Sequence, residues 1–264
     1  MKGADIVLGV VIAAALLPIA YAAVFYGIPS HTGFTALRPL ARTILTVMFN
    51  KLDRLAWTAS PEGVTSVLWD YRGVDTLYET MVLLTAIMGA VAVLHTRGVD
   101  IVKRVSLRRS ALSAILDRTS RVVVWLTLIV SAAMAVNGHL TPGGGFVGGS
   151  ALAVVPVLLV AVFTALLLPA LGFRNVRMLR VRMAALLTLI TVVTVPLTLG
   201  GYFFQNQPKP TSRFPGYPPF FPGGVPLGGT LILLNIIEFV AVGMAFSIAF
   251  LYLTAGEGGE GGGE

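Results

Sequence analysis

The sequence predicts an all-α integral membrane protein with about six transmembrane helices and one amphipathic helix at the interface. Three observations carry this. Of its 264 residues, 56% are hydrophobic and only 12% charged, with a mean hydropathy of +0.85; a soluble domain carries roughly 25% charged residues. Several apolar runs reach the ~20 residues that one bilayer crossing needs. These runs are continuously apolar, whereas barrel strands alternate apolar and polar residues, which argues against a β-barrel.

There is no cysteine, and His31, His95 and His139 are the only histidines. Disulfides, iron–sulfur ligation and thiolate metal sites are therefore excluded within this chain, and no metal site or cofactor is expected. The net charge of +7 arises largely from basic residues in two short segments between helices. That placement fits loops facing anionic lipid on the cytoplasmic side, not nucleic acid.

The first helix is expected from about Ile6 to Tyr26, with Pro18 allowing a kink. Within 35–57, Leu37, Leu40, Ile44, Leu45 and Met48 recur at helical spacing, broken by Arg38, Arg42, Lys51 and Arg54. This reads as an amphipathic interfacial helix. Ser60, before Pro61 and Glu62, is a possible helix cap. A second crossing is expected from about Val74 to Leu94. At its start Asp75 and Glu79 stand four residues apart and share a face. Asp75 is read as complementing the helix dipole. Glu79 lies about one turn inside the membrane, where a carboxylate is costly unless paired, protonated or facing a polar path. Two readings stand for it: an ion-path carboxylate, or a partner of Arg72.

Residues 97–121 form a basic junction, with Arg97, Lys103, Arg104, Arg108, Arg109, Arg118 and Arg121. A third helix is expected over about 121–136, and a fourth over about 149–171 with Pro156 in its first third. Between them runs Asn137-Gly-His-Leu-Thr-Pro-Gly-Gly-Gly-Phe-Val-Gly-Gly149. Pro142 fixes φ and lacks an N–H, and Gly143, Gly144 and Gly145 permit positive φ and close backbone approach. Asn137, His139 and Phe146 add an amide, an imidazole and a ring. One reading is a tight turn with small residues for helix packing; the other is a functional polar turn. After a loop at 172–182 holding Arg174, Arg177, Arg180 and Arg182, a fifth helix covers about Met183–Leu199 with four threonines on it. A loop at 200–228 carries six prolines, from Pro208 to Pro222, among aromatic rings; it is expected to be ordered against partners. The sixth helix covers about Thr230–Tyr252 and carries Asn235 and Glu238 on one face. Glu238 is the deepest carboxylate, and two readings stand: a functional group, or a neutral acid bonded to Asn235 or a partner. The tail from Gly256 is Gly/Glu repeats of disordered type.

The Gly-His followed by Pro-Gly-Gly-Gly-Phe-x-Gly-Gly closely resembles the signature of the B subunit (MnhB/MrpB) of Mrp-type multisubunit sodium/proton antiporters, a module also found in archaeal membrane-bound hydrogenases. Where that family has Asn after the His, this chain has Leu140, leaving Asn137 as the nearby amide. A second run, Tyr71-Arg-Gly-x-Asp-Thr-Leu-x-Glu-Thr80, resembles the C-terminal extension of the Mrp A subunit, found as a separate MbhE subunit in hydrogenases. The resemblances imply a fusion: an MbhE-like two-helix segment at 1–105, a basic linker at 106–117, an MnhB-like four-helix domain at 118–254 and a disordered tail at 255–264.

What the resemblance implies about function follows from its partners. The chain would be a non-catalytic membrane subunit of an Mrp-type cation/proton antiporter, standalone or within a respiratory complex with hydrogenase-like or sulfur-reductase-like redox subunits. Sodium and protons would be the transported ions, and Glu79, Asp75, Glu238 and Asn235 the ion-path residues; the family motif favours Glu79. The alternative is a scaffold that docks the pumping subunits, and a third reading is a small channel. An enzyme finds least support, since no nucleophile–base pair, metal cluster or P-loop Gly-Lys-Ser/Thr occurs. With six crossings both termini share a side. Lys2, the 97–121 segment and the 174–182 segment together hold 12 of the 19 Lys and Arg, which predicts both termini in the cytoplasm.

Overall fold

The computed structural model describes residues 14, 17, 18, 21, 38–96, 114–162 and 175–256. Most of the expected first helix, His31, residues 97–113 of the basic junction, and the tail from 257 lie outside the described residues, as does the side chain of His95. The chain divides into two units, Met1–Thr43 and Ile44–Glu264. Helices are the only regular elements among the described residues: α1 Pro39–Val47, α2 Gly63–Thr65, a π-helical turn Ser66–Tyr71, α3 Gly73–Thr96, α4 Ala114–Val136, α5 Gly145–Leu152, α6 Val154–Val162, α7 Asn175–Thr198 and α8 Leu231–Gly256. Four of them (α3, α4, α7 and α8) are long and apolar enough to cross a membrane, and Gly145–Val160 is a shorter apolar helix.

Of the amphipathic helix expected over 35–57, the described residues show α1, which ends at Val47. The next residues bond their own backbone instead. Asn50 Oδ1 accepts Leu52 N–H at 3.1 Å, and Asp53 Oδ1 accepts Leu55 and Ala56 N–H at 3.1 and 3.0 Å. Thr58 donates its N–H and its hydroxyl back to Met48 O at 2.8 and 2.9 Å. Short polar side chains offering such bonds compete with helix continuation. The helix cap expected at Ser60 falls at Glu62, whose carboxylate accepts Thr65 N–H at 2.5 Å.

The helix boundaries shift where a sequence break was read too strongly. Helix α4 covers Ala114–Val136 and α7 Asn175–Thr198 among the described residues, so Arg177, Arg180 and Arg182 sit on a helix and not in a loop. Arginine is a good helix former, and no Gly or Pro stands between Asn175 and Met183. Helix α5 begins at Gly145, four residues before the expected start. It ends at Leu152, where Pro156 offers no N–H and its ring crowds the Leu152 carbonyl.

Helix α8 is the centre of Ile44–Glu264. Of its apolar window 61% is buried, against 33% for α7 and 17% each for α3 and α4. Helices α5, α7 and α3 pack on it. Near its start Trp69, Leu189, Val193, Phe204, Leu231 and Leu234 form one cluster; further along, Ile87, Val155, Met178, Ala245, Ile248 and Leu251 form another. The outward faces of α3 and α4 present Tyr78, Val82, Trp125, Leu126 and Ile129.

The Pro-rich loop folds back on the same chain. Phe204 and Phe214 are buried, and Tyr217 Oη donates to Val192 O at 3.1 Å. Asn206 Nδ2 donates to Thr58 O and Gly228 O at 2.9 and 3.1 Å, while its Oδ1 accepts Thr230 N–H at 2.9 Å. Tyr202, Phe220 and Phe221 remain exposed.

Candidate functional site

The signature stretch divides into a turn, Asn137–Gly144, and the first turns of α5. Asn137 is exposed and caps the end of α4, its Nδ2 donating to Ala133 O at 3.0 Å. Gly144 takes φ +121°, a conformation open to glycine; its N–H reaches back to Met134 O at 3.0 Å. Pro142 is exposed on the turn, and Gly143 lies against Met134 O. Phe146, half exposed, meets Phe246 edge-on at 6.0 Å. The remaining glycines let α5 wedge between α4 and α8. A Cβ on Gly148 would lie 2.6 Å from Ser131 O of α4, and one on Gly149 2.8 Å from Phe239 O of α8.

At the head of this wedge stands Glu238. It is buried, and its Oε2 accepts the Phe146 N–H at 3.0 Å. Gly145 is packed so tightly that a Cβ there would come within 2.6 Å of Glu238 Cβ. The carboxylate thus occupies a helix N-terminus, where free N–H groups and the dipole favour negative charge. The Asn235 side chain, expected as a partner of Glu238, turns elsewhere. Its Oδ1 accepts Trp69 Nε1–H at 3.0 Å, and its buried Nδ2 has no partner.

His139 closes the other side of the turn. Its Nε2 lies 3.1 Å from Pro226 O; a carbonyl only accepts, so Nε2 carries the proton. Nδ1 is buried without a partner. The backbone carbonyls of Gly138 and His139 accept the hydroxyls of Thr65 and Ser60, each at 2.5 Å. The site therefore joins the π-helical turn, the signature turn, the Pro-rich loop and α8.

The two other expected acids separate. Glu79 is on the exposed surface of α3. Asp75 pairs with Arg72 at 2.6 Å, with the two side chains 53% and 68% exposed. Arg72 is thus the partner of Asp75, not of Glu79 as one reading held. Such an exposed pair contributes little to stability. Among the described residues no group of His, Cys, Asp or Glu could hold a metal ion.

Two buried charges escaped the sequence reading. The Asp70 side chain is 3% exposed, with Lys209 Nζ at 3.9 Å. Burial pushes its carboxyl up from 3.8 to about 6, against the opposing pull of Lys209 and the Asn206 N–H. Next to it, Tyr71 is pushed up to about 12 by burial and by the charges of Asp70 and Asp53. Arg182, expected in a cytoplasmic loop, is 1% exposed inside α7.

The helices of spanning length, packed round a central helix with a carboxylate at an internal helix terminus, define a multi-pass helical membrane protein. The chain belongs to the family of domains related to the MnhB subunit of Na+/H+ antiporters, whose family model matches residues 115–248. Two solved structures share its fold. A chain of the membrane-bound sulfane sulfur reductase (MBS), an archaeal respiratory membrane complex, is 24% identical with a TM-score of 0.63, covering 93% of this chain and 98% of that one. A chain of the Mrp complex from Dietzia sp. DQ12-45-1b is 20% identical with a TM-score of 0.60, covering 100% of this chain and 27% of that one. A search of curated proteins finds no match.

Proposed function

We propose that the chain is a non-catalytic membrane subunit of an Mrp-type cation/proton antiporter module, standalone or inside a redox-driven respiratory complex, and that Glu238 and Glu79 border its ion path. The observation that carries this reading is the buried Glu238 carboxylate of α8 at the N-terminus of α5, on a helix against which α3, the helix of Glu79, also packs. A carboxylate at membrane depth favours binding a proton or a hard cation. Glu238 supplies a buried acceptor and Glu79 an exposed one, so an ion would be passed from one to the other. Asp75, tied to Arg72, would hold no ion and instead fix the start of α3. The MnhB-related family and the fold shared with chains of an Mrp complex and of MBS support this reading.

In the same reading the chain crosses the bilayer six times. The four long helices would be joined by the spans expected over about 6–26 and about 149–171. Both termini then lie in the cytoplasm, and residues 1–105 act as the MbhE-like segment.

A scaffold reading has its own support, because the Glu238 bond to Phe146 N–H also fastens α5 to α8. The test is sodium/proton exchange in vesicles carrying the complex with Glu238→Gln or Glu79→Gln, alongside the amount of assembled complex. Exchange lost at native assembly supports the ion path. Assembly lowered with turnover per complex unchanged supports the scaffold, and native values for both would overturn the ion-path assignment.

A further inference from the structure

Arg182 is a buried cation on α7, a helix of spanning length, with no ion pair among the described residues. It continues the buried stripe of α7, Met178, Arg182, Ala185, Leu189 and Val193, at the three- and four-residue spacing of one helix face. Met178 shares a cluster with Ala245 and Ile248, whereas Ala185 and Leu189 share one with Ile237 and Ala241. Arg182 therefore sits on the α7–α8 seam level with Ala241–Ala245. That level is three to seven residues past Glu238, roughly 5–10 Å further along the helix axis at about 1.5 Å per residue.

Its Nε and Nη1 are buried and have no hydrogen-bond partner among the described residues. A guanidinium does not lose its proton in a protein, and an uncompensated buried charge is expensive. Among the described residues no ion pair is made with it. A stability role alone would be met better by a leucine at this place in the stripe.

We propose that Arg182 is a fixed positive barrier on the α7–α8 seam, which stops cations drawn to Glu238 from continuing through this chain to the opposite membrane face. The inference rests on the ion-path reading above. A cation at Glu238 has a carboxylate beside it and a fixed positive charge ahead, so its way on along the α7–α8 seam is closed. Fixed charges of this kind exclude like-charged ions from membrane paths.

The experiment is passive proton and sodium flux into proteoliposomes holding the whole complex, under an imposed membrane potential and with no driving reaction. Arg182→Gln should raise the leak several-fold, and Arg182→Lys, which keeps the charge, should stay near the native value. An Arg182→Gln complex at native assembly with native leak overturns the barrier. Should that variant fail to accumulate, Ala245→Asp keeps the guanidinium but offers it a counter-charge; the same leak is expected, and its absence overturns the proposal equally. The double variant Glu238→Gln/Arg182→Gln separates the two readings. A leak that disappears there ties the barrier to Glu238, while one that persists shows a barrier unconnected with that carboxylate and overturns the proposal as stated. Loss of exchange in Glu238→Gln with a tight Arg182→Gln complex leaves the ion path standing and removes the barrier alone.

Discussion

The Glu238 carboxylate of α8 accepts the backbone N–H of Phe146, at the first turn of α5, at 3.0 Å. One group therefore places a carboxyl group within a helix of spanning length and satisfies a backbone N–H at a helix terminus. These two roles respond differently to substitution.

In Glu238→Gln the amide oxygen still accepts the Phe146 N–H, so the fold should persist while the charge is gone. Glu238→Ala leaves that buried N–H without a partner, at a cost of about 1–3 kcal/mol, and opens a cavity. The glutamine variant should reach the membrane in native amounts with exchange abolished, and the alanine variant in reduced amounts. Quantifying complex beside sodium/proton exchange checks both; equal yields would show that the bond does not hold α5 in place.

The glycines of α5 make a second pair of predictions. Gly145→Ala would drive a Cβ to 2.6 Å from Glu238 Cβ, and Gly149→Ala to 2.8 Å from Phe239 O. Overpacking of this kind typically costs about 1–3 kcal/mol. Gly89 in α3 meets nothing within 4 Å, so Gly89→Ala should be neutral or stabilise by up to about 1 kcal/mol. Thermal unfolding in detergent should lower the midpoint for the first two variants and not for the third.

Much of this was legible because long apolar runs and a Gly-Pro cluster are local signals. The spanning helices α3 and α8 and the turn at 137–144 followed directly. What escaped depended on tertiary contact. Nothing in the sequence said that Glu238 would meet the Phe146 N–H and not Asn235, or that Trp69 would claim the Asn235 amide across 166 positions. Arg182 was misplaced because a run of arginines resembles a loop, although arginine continues a helix well. Asp70 was passed over because its burial comes from the Pro-rich loop, and loops read as exposed.

The Trp69–Asn235 bond fixes the π-helical turn to α8. Trp69→Phe keeps most of the ring packing against Phe204, at 6.4 Å between centroids, and removes the N–H. Asn235 Oδ1 then joins Nδ2 as a buried atom without a partner, which costs about 1–3 kcal/mol. The variant should unfold earlier by a margin that shrinks in Trp69→Phe/Asn235→Leu, where both polar groups are gone. Additive losses in that double variant would show that the two residues are not coupled.

Asp70 gives a pH-dependent prediction. Its carboxyl titrates at about 6 in the fold against an ordinary 3.8, burial being the chief cause. The folded chain therefore holds this proton more tightly than the unfolded chain. The resulting stabilisation is complete below pH 3.8 and is lost as pH rises through about 6. Asp70→Asn stays neutral throughout, so its unfolding midpoint should gain on the native chain between about pH 4 and pH 7.5. At about 1.4 kcal/mol per pH unit, the shift sets a ceiling of roughly 3 kcal/mol on that gain. The lost attraction to Lys209 reduces it, although Lys209 Nζ keeps its 2.7 Å bond to Leu55 O. Unfolding followed by tryptophan fluorescence across that range is the measurement, since Trp57 and Trp69 are both buried. A difference between variant and native that does not change with pH would mean that Asp70 is ionised and solvated in the folded chain, and that the Pro-rich loop does not cover it.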